Sequence, residues 1–401
     1  MRLGEDGKLG HLTYCTNIHA GEHWDDVAAS LAENLPSIKA QVAPDRPLGV
    51  GLRISASMAQ ALSEPAQFDQ LKALLGEDYY VFTVNGFPYG TFHGQPVKDG
   101  AYRPDWTDPE RVRYTNQISD VLVKLVPEGM TGTISTVPCS FKPWHADSDM
   151  DEVKSRCAEH IAEHVAHLWR HEKDSGVQLQ LALEPEPFCV LETIAETVEY
   201  FKEFLFAGAG SAHLTSNTGL DASSAAEAIA RYVGVCYDVC HAAVEFEDPR
   251  ASVNALADAG IGISKFQLSS ALRVRAAGDD AVAALTPFDE PVYLHQTIES
   301  RDSDIVRFAD LSDAFADVKA AEGNEWRSHF HVPIFLERME RFDTTQPFLR
   351  EILAAHRENP ASAQLEVETY TWDVLPESYR RVSVADAIAR ELNWVIDQLD
   401  A

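Results

Sequence analysis

LALEPEP (Leu181–Pro187), GVCYDVCH (Gly234–His241), ISKFQLSS (Ile263–Ser270) and LEVETYTW (Leu365–Trp372) are the stretches that decide the fold of this chain. Each is a short apolar run with Glu, Asp, His or Gln at or near its C-terminal end. Runs of this length read as buried strands. Carboxylates are costly to bury without partners, so four polar strand ends converging on one point suggest a divalent metal. In a parallel α/β fold, strand C-termini are where sites are built.

Outward from these runs, apolar and amphipathic stretches alternate along the whole chain. HLTYCTNIH (11–19), LGVGLRIS (48–55), YYVFTVNGF (79–87) and GTISTVPCS (132–140) read as strands one to four, so the four runs above become strands five to eight. Helical periodicity follows most of them, at 23–42, 66–75, 108–126, 150–174, 193–206, 248–259 and 384–399. Asp108 is placed as an N-cap with Pro109 at the first helical position. About eight βα units predict a closed parallel (β/α)8 TIM barrel of the α/β class, a single domain over 1–401. A doubly wound sheet would want GxGxxG after strand one, and TNIHAGEHW is not that. Between strands seven and eight, the irregular stretch 271–360 contains PVYLHQTI (291–298) and HFHVPIF (329–335). It is expected to be a large insertion over the C-terminal face, a substrate-covering loop.

Of 401 residues, 45% are hydrophobic, which is ample for a core. Lys and Arg number 33 against 63 Asp and Glu, a net charge of −30. So acidic a surface repels phosphate backbones and anionic lipid, which argues against nucleic-acid and membrane partners. MRLGEDGKLGHL has no charged-then-apolar leader, and no apolar run reaches the roughly 20 residues of a membrane span. The six scattered cysteines form no CxxC pair and read as reduced, buried thiols of a cytoplasmic protein. Whether the chain forms a homo-oligomer is left open.

Strand side chains alternate, so residues i and i+2 share a face. An inward layer at the barrel mouth then holds Glu184, Asp238, Gln267 and Glu368. Three carboxylates and an amide are hard oxygen ligands that suit Mn²⁺ or Mg²⁺, and mixed Asp/Glu/His sites also take Zn²⁺ or Co²⁺. One layer deeper, Lys265 and Glu366 are expected to pair, because a lone buried ammonium is disfavoured. Asn17, His19, Arg53 and Asn85 end strands one to three, and Arg273 follows strand seven. Each is a candidate for binding substrate, and each is equally a candidate for capping a loop. Phe87, Tyr89, Phe92, His93 and Trp106 of the strand-three loop either cover a ligand or form the loop's own small core.

A Glu after strand five, D-x-x-H after strand six, a ligand in strand seven and E-T-Y in strand eight resemble the xylose-isomerase-like TIM barrels. That superfamily includes sugar isomerases, ketose 3-epimerases and the endonuclease IV family. LTYCTNIHAGEHW, LEPEP, FHVP and EVETYTW further resemble the EboE-type "metabolite traffic" proteins. The resemblance implies that Glu184, Asp238 and Glu368 are metal ligands. It implies acid and base roles for Glu184 and Glu368 on opposite faces of a substrate, and a substrate-oxygen contact for His241. The epimerases have a strand-seven His where this chain has Gln267, so either Gln267 or His331 completes the shell. In the nuclease branch the His of D-x-x-H joins a histidine-containing pair on a long loop to hold another zinc. Here His241, His329 and His331 would form that set, although the two early-strand His ligands of that branch are missing.

The expected function is therefore a divalent-metal-dependent isomerase or epimerase acting on a small polyhydroxylated substrate, a sugar or cyclitol, through an enediolate. The alternatives are an endonuclease IV-like phosphoesterase, or a non-catalytic metabolite-binding protein on the same barrel.

Overall fold

The computed structural model describes residues 1–4, 7–302 and 304–400. Eight parallel strands form one curled sheet. In chain order they are His11–Tyr14, Leu52–Arg53, Thr83–Asn85, Gly132–Thr136, Leu179–Leu183, Val233–Asp238, Ile263–Leu268 and Gln364–Val367. The last strand lies beside the first, and neighbours along the chain pair in between. The seam between strands one and two closes through a Cys15–Gly51 bridge, with Gly51 N donating to Tyr14 O (3.1 Å) and Thr16 N to Gly51 O (2.8 Å). This is the sheet of a (β/α)8 barrel. Its strands are buried on both faces, as the near-continuous apolar runs required.

The helices begin where the sequence has caps. Asp108 accepts from Glu110 N (2.8 Å) ahead of Pro109–Leu122. Met150–Ser175 starts after Asp149 and stops at Gly176, whose φ of 75° suits glycine. The expected helix at 193–206 starts in a Thr193–Glu196 capping box but runs on past Tyr200 as a π-helical turn, Phe201–Phe206. Two further helices, Ala209–Thr218 and Ala222–Tyr232, precede strand six. Strand two is shorter than its apolar run. Leu48–Gly49 pairs separately with Tyr79–Tyr80, and only Leu52–Arg53 joins the barrel.

Between strands seven and eight the chain builds a five-stranded antiparallel sheet. Its order is Asp304–Phe308, Thr297–Arg301, Glu325–Ser328, Leu272–Val274, Asp343–Thr344. From Gln346 the chain turns into a helix, Gln346–Glu358, that packs against Pro249–Asp258 and Val384–Asp400. The stretch 271–360 thus divides into a sheet and an ordinary outer helix. All six cysteines are buried and free. No helix among the described residues is long and apolar enough to cross a membrane.

Candidate metal centre

Glu184 follows strand five, where its N–H still bonds Thr136 O (3.1 Å), and Pro185 and Pro187 then end the ladder. Asp238 closes strand six and caps the short helix Val239–Val244, its Oδ1 accepting from Cys240 N (2.7 Å), His241 N (3.1 Å) and Ser269 Oγ (2.6 Å). Glu368 leaves strand eight with its N–H on Leu268 O (3.1 Å). One oxygen from each of Glu184, Asp238 and Glu368 lies within 4.8 Å of the others. All three residues are buried. Glu184 Oε2 and Asp238 Oδ2 have no hydrogen-bond partner.

Three buried carboxylates this close cannot all ionise unaided. Burial and the charge of Asp238 push the Glu184 carboxyl up to about 8. Burial, Glu184 and Asp238 push Glu368 well above the usual range. For Asp238, burial opposes ionisation, but His241, His331 and the Ser269 hydroxyl outweigh it and leave this carboxyl below its ordinary value. Asn17 Nδ2 (2.7 Å) and Asn85 Nδ2 (3.0 Å) both donate to Glu368 Oε1 and orient it.

The antiparallel sheet brings a second cluster over the same strand ends. His329 and His331 leave its strand Glu325–Ser328, and Gln296 precedes Thr297–Arg301. Each of three imidazoles directs Nδ1 at a carbonyl-type oxygen 2.9 Å away. The pairs are His241 with Pro185 O, His329 with Gln296 Oε1, and His331 with Glu368 O. Such partners accept only, so Nδ1 carries a proton in each, and in His329 and His331 Nε2 presents its lone pair. For His241 burial opposes the charge, but Asp238, Glu186 and Glu184 outweigh it and raise this imidazole above its ordinary value. The Nε2 atoms of His241 and His329 are 3.1 Å apart, and those of His329 and His331 are 3.3 Å apart. Asp238 Oδ2 lies 3.9 Å from Nε2 of both His241 and His331. Two imidazoles on one tetrahedral ion, with bonds of 2.0–2.1 Å, place their nitrogens about 3.3 Å apart. Burial holds His331 down to about 4 and His329 well below its ordinary value, so both are neutral near pH 7. Cys240 lies with these two rings, but burial raises its thiol and keeps it protonated.

The sequence candidates divide cleanly. Glu184, Glu368, Asn17, Asn85, His241 and His329 line one cavity, with Phe87, Phe92, Tyr102, Tyr293 and Tyr370. Gln267 is fully buried beside Asp238 and Glu366 in register, and neither atom of its amide has a partner. Asp238 and His331 stand behind the cavity wall, and three candidates lie away from the centre. Arg53 makes a bidentate pair with Glu22 (3.1 and 2.8 Å) and bonds Gly90 O (2.6 Å). His19 bonds the Tyr14 hydroxyl (3.1 Å). Arg273 is held bidentately by Glu325 (2.9 and 2.7 Å) in the antiparallel sheet. Their partners are ones that the local sequence does not announce, and the placement matches the loop-holding alternative that the sequence left open for each.

Two cavity residues, Glu186 and Tyr370, and Gln296 behind them carried no expectation from the sequence. Glu186 accepts from Tyr102 Oη (2.7 Å) and lies 3.5 Å from His329 Nδ1. Gln296 Nε2 donates to Tyr102 Oη (2.8 Å). Tyr370 Oη reaches His329 Nε2 (3.4 Å). Glu186 was visible as the second carboxylate of LEPEP, and Tyr370 as the aromatic of E-T-Y. Gln296 had no signal, since only the pairing of Thr297 with Ser328 brings it beside His329. Of the five non-glycine residues with positive φ among the described residues, Cys139 (71°), Phe188 (66°) and Phe246 (58°) follow strands four, five and six. Backbone strain of this kind tends to gather where a surrounding site holds it.

No family model matches the sequence, and no curated protein matches it. Among solved structures, a xylose isomerase-like TIM barrel protein from Mycobacterium smegmatis in complex with magnesium aligns with a TM-score of 0.51. The identity is 9%, over 97% of this chain and 96% of that one. The IolI protein with a bound zinc atom aligns at TM-score 0.45 and 13% identity, over 97% and 98% of the two chains. L-ribulose 3-epimerase aligns at 0.41 and 11%, over 98% and 95%. Identities this low speak to the fold alone, and the fold of this chain is a (β/α)8 barrel.

Proposed function

We propose that this protein is a divalent-metal-dependent isomerase or epimerase acting on a small polyhydroxylated substrate, a sugar or a cyclitol. The observation that carries this reading is the buried triad of Glu184, Asp238 and Glu368, two of whose oxygens are unpartnered. A cation of the kind named in the magnesium- and zinc-containing structures above fits that donor set. Glu184, Asp238 and Glu368 would hold it, with His331 or Gln267 as the fourth donor. When bound, the ion supplies positive charge that polarises neighbouring substrate oxygens.

The remaining chemistry belongs to the chain. Glu184 and Glu368 are the proton carriers, one removing a proton from carbon and the other returning one. Asn17 and Asn85 fix Glu368 by donating to Oε1, which leaves Oε2 for the substrate. His241, at the cavity wall, is placed to bond a substrate hydroxyl. Phe92, Tyr293 and Tyr370 pack together at the mouth, with ring centroids 5.0–5.3 Å apart, and exclude water. The antiparallel sheet serves as the substrate cover. The motifs resembling EboE-type proteins favour a secondary-metabolite setting in the cytoplasm.

The test is exchange of carbon-bound hydrogen with D₂O, followed by NMR, over a panel of ketoses and inososes. Glu184→Gln and Glu368→Gln should keep the fold and each lose about 10²–10⁴-fold in turnover, the range of general acid–base catalysis. Unchanged turnover in either variant sinks the assignment.

A second reading, a zinc-dependent phosphoesterase, is favoured by one observation. The Nε2 atom of His329 lies at tetrahedral ligand spacing from those of both His241 and His331, beside Asp238. The net charge of −30 opposes a nucleic-acid substrate. Near three zincs per chain at the strand ends, together with phosphodiester cleavage, would reverse the order of the two readings.

A further inference from the structure

Away from the barrel mouth, the helices Pro109–Leu122 and Met150–Ser175 pack side by side. The second carries His160, His164, His167 and His171. Steps of four, three and four keep all four on one helix face. His160 Nδ1 bonds Trp106 O (2.8 Å), and His164 Nδ1 bonds Asn116 Oδ1 (2.6 Å). His164 is fully buried and its Nε2 is unpartnered. The row comes to the surface at its far end. There His167 and His171, with side chains about one-quarter exposed (25% and 24%), aim Nε2 at Oδ1 of Asp120 on the neighbouring helix, at 2.8 and 2.6 Å. The two Nε2 atoms are 3.0 Å apart.

Hydrogen bonding alone fits this triangle poorly. If both nitrogens donate to the one carboxylate oxygen, two N–H groups crowd head to head. If only one donates, or neither does, a lone pair faces the carboxylate. A cation satisfies all three atoms at once. Adjacent ligands on an octahedral ion, with bonds near 2.1 Å, lie about 3.0 Å apart. The 3.0 Å side between the two Nε2 atoms matches that spacing, and the 2.8 and 2.6 Å sides to Asp120 need open by only a few tenths of an ångström for three ligands to share one face of such an ion. Two histidines four residues apart on a helix also present their rings to one point, the geometry that helical metal motifs use.

We propose that Asp120, His167 and His171 form a second, solvent-open site for one divalent transition-metal ion, which would clamp the two helices together. Imidazole ligands select Zn²⁺, Co²⁺, Ni²⁺ or Cu²⁺ over Mg²⁺. Asp120 is 47% exposed, so water can take the remaining positions.

The experiment is a zinc titration of full-length, chelator-stripped protein, read by equilibrium dialysis with elemental analysis. The wild type should bind one zinc per chain more than the His167→Ala/His171→Ala double variant. That additional equivalent should persist in Glu184→Gln/Glu368→Gln, which separates this site from the strand-end centre. Asp120→Asn, which preserves a hydrogen-bonding side chain, should weaken the same equivalent at least tenfold. Equal zinc stoichiometry in the wild type and the double histidine variant overturns the proposal, whatever the strand-end centre does.

Discussion

Glu391 lies on the last helix, 2% exposed, where Oε1 accepts from Thr369 Oγ1 (2.8 Å) and Ile334 N (3.1 Å). Burial overrides those two bonds and raises its carboxyl from 4.5 to about 7. The folded state thus holds this proton over a pH range in which the unfolded chain has released it. Its stabilising effect is complete below pH 4.5 and is lost as pH rises through 7. Glu391→Gln keeps the acceptor oxygen and removes the titration. It should flatten the decline in stability between those pH values and raise stability at pH 8 by up to about 3 kcal/mol. Urea melts at pH 5 and pH 8 measure this, and equal slopes in variant and wild type would contradict it. The same scale shows what the residue pattern could reveal. Lys265 and Glu366 pair at 2.5 Å, both fully buried, as strand alternation required. Glu184, Asp238 and Glu368 converge for the same reason. Arg53, His19 and Arg273 stood at equally suitable strand ends. Their partners, Glu22, Tyr14 and Glu325, decided their fate, and no spacing rule identifies such a partner in advance.

Among the elements, the seam between strands one and two is the least tolerant part of the barrel. Strand two contributes only Leu52–Arg53 to the main sheet, so closure falls to Gly51. A methyl group at Gly51 would overlap Glu366 Oε1, the oxygen of that carboxylate not bonded to Lys265, and crowd Tyr14 O. Gly51→Ala must therefore displace either the seam or the buried ion pair. Overpacking costs about 1–3 kcal/mol and breaking a buried pair about 3–5 kcal/mol. The variant should lose about 3 kcal/mol or more in denaturant melts, and a loss under about 1 kcal/mol would show that the seam can yield. Most elements were legible in the sequence because their signals are local. Pro109 and Asp108 mark a helix start, and Gly176 marks a helix end. The antiparallel sheet was not legible, because its pairings, such as Leu272 with Ser328 and Thr344, join distant segments of weak alternation.

At the scale of the whole molecule, the strand-end centre gathers residues from strands five, six and eight and from the antiparallel sheet, so an ion there ties the barrel to its cover. Removing metal with a chelator should lower stability, and adding Mn²⁺ or Zn²⁺ should restore it, by about 2.7 kcal/mol at a hundredfold excess over Kd. Measured in the His167→Ala/His171→Ala background, the response should disappear with Asp238→Asn. Asn preserves the helix cap that Asp238 provides and removes its charge. A response that survives Asp238→Asn would place the stabilising ion elsewhere. By itself the sequence determined the alternation of strands and helices, the eight-strand count and the carboxylates at the strand ends, because these follow from side-chain period and the free energy of burial. Tertiary structure decided which of the polar ends meet. It set three imidazoles with Nε2 facing Nε2, left Gln267 with no partner, and turned Arg53, His19 and Arg273 toward neighbours outside the cavity. Those outcomes depend on loop paths and on pairings between residues far apart in the chain, where closure of a contact, rather than any local preference, sets the geometry.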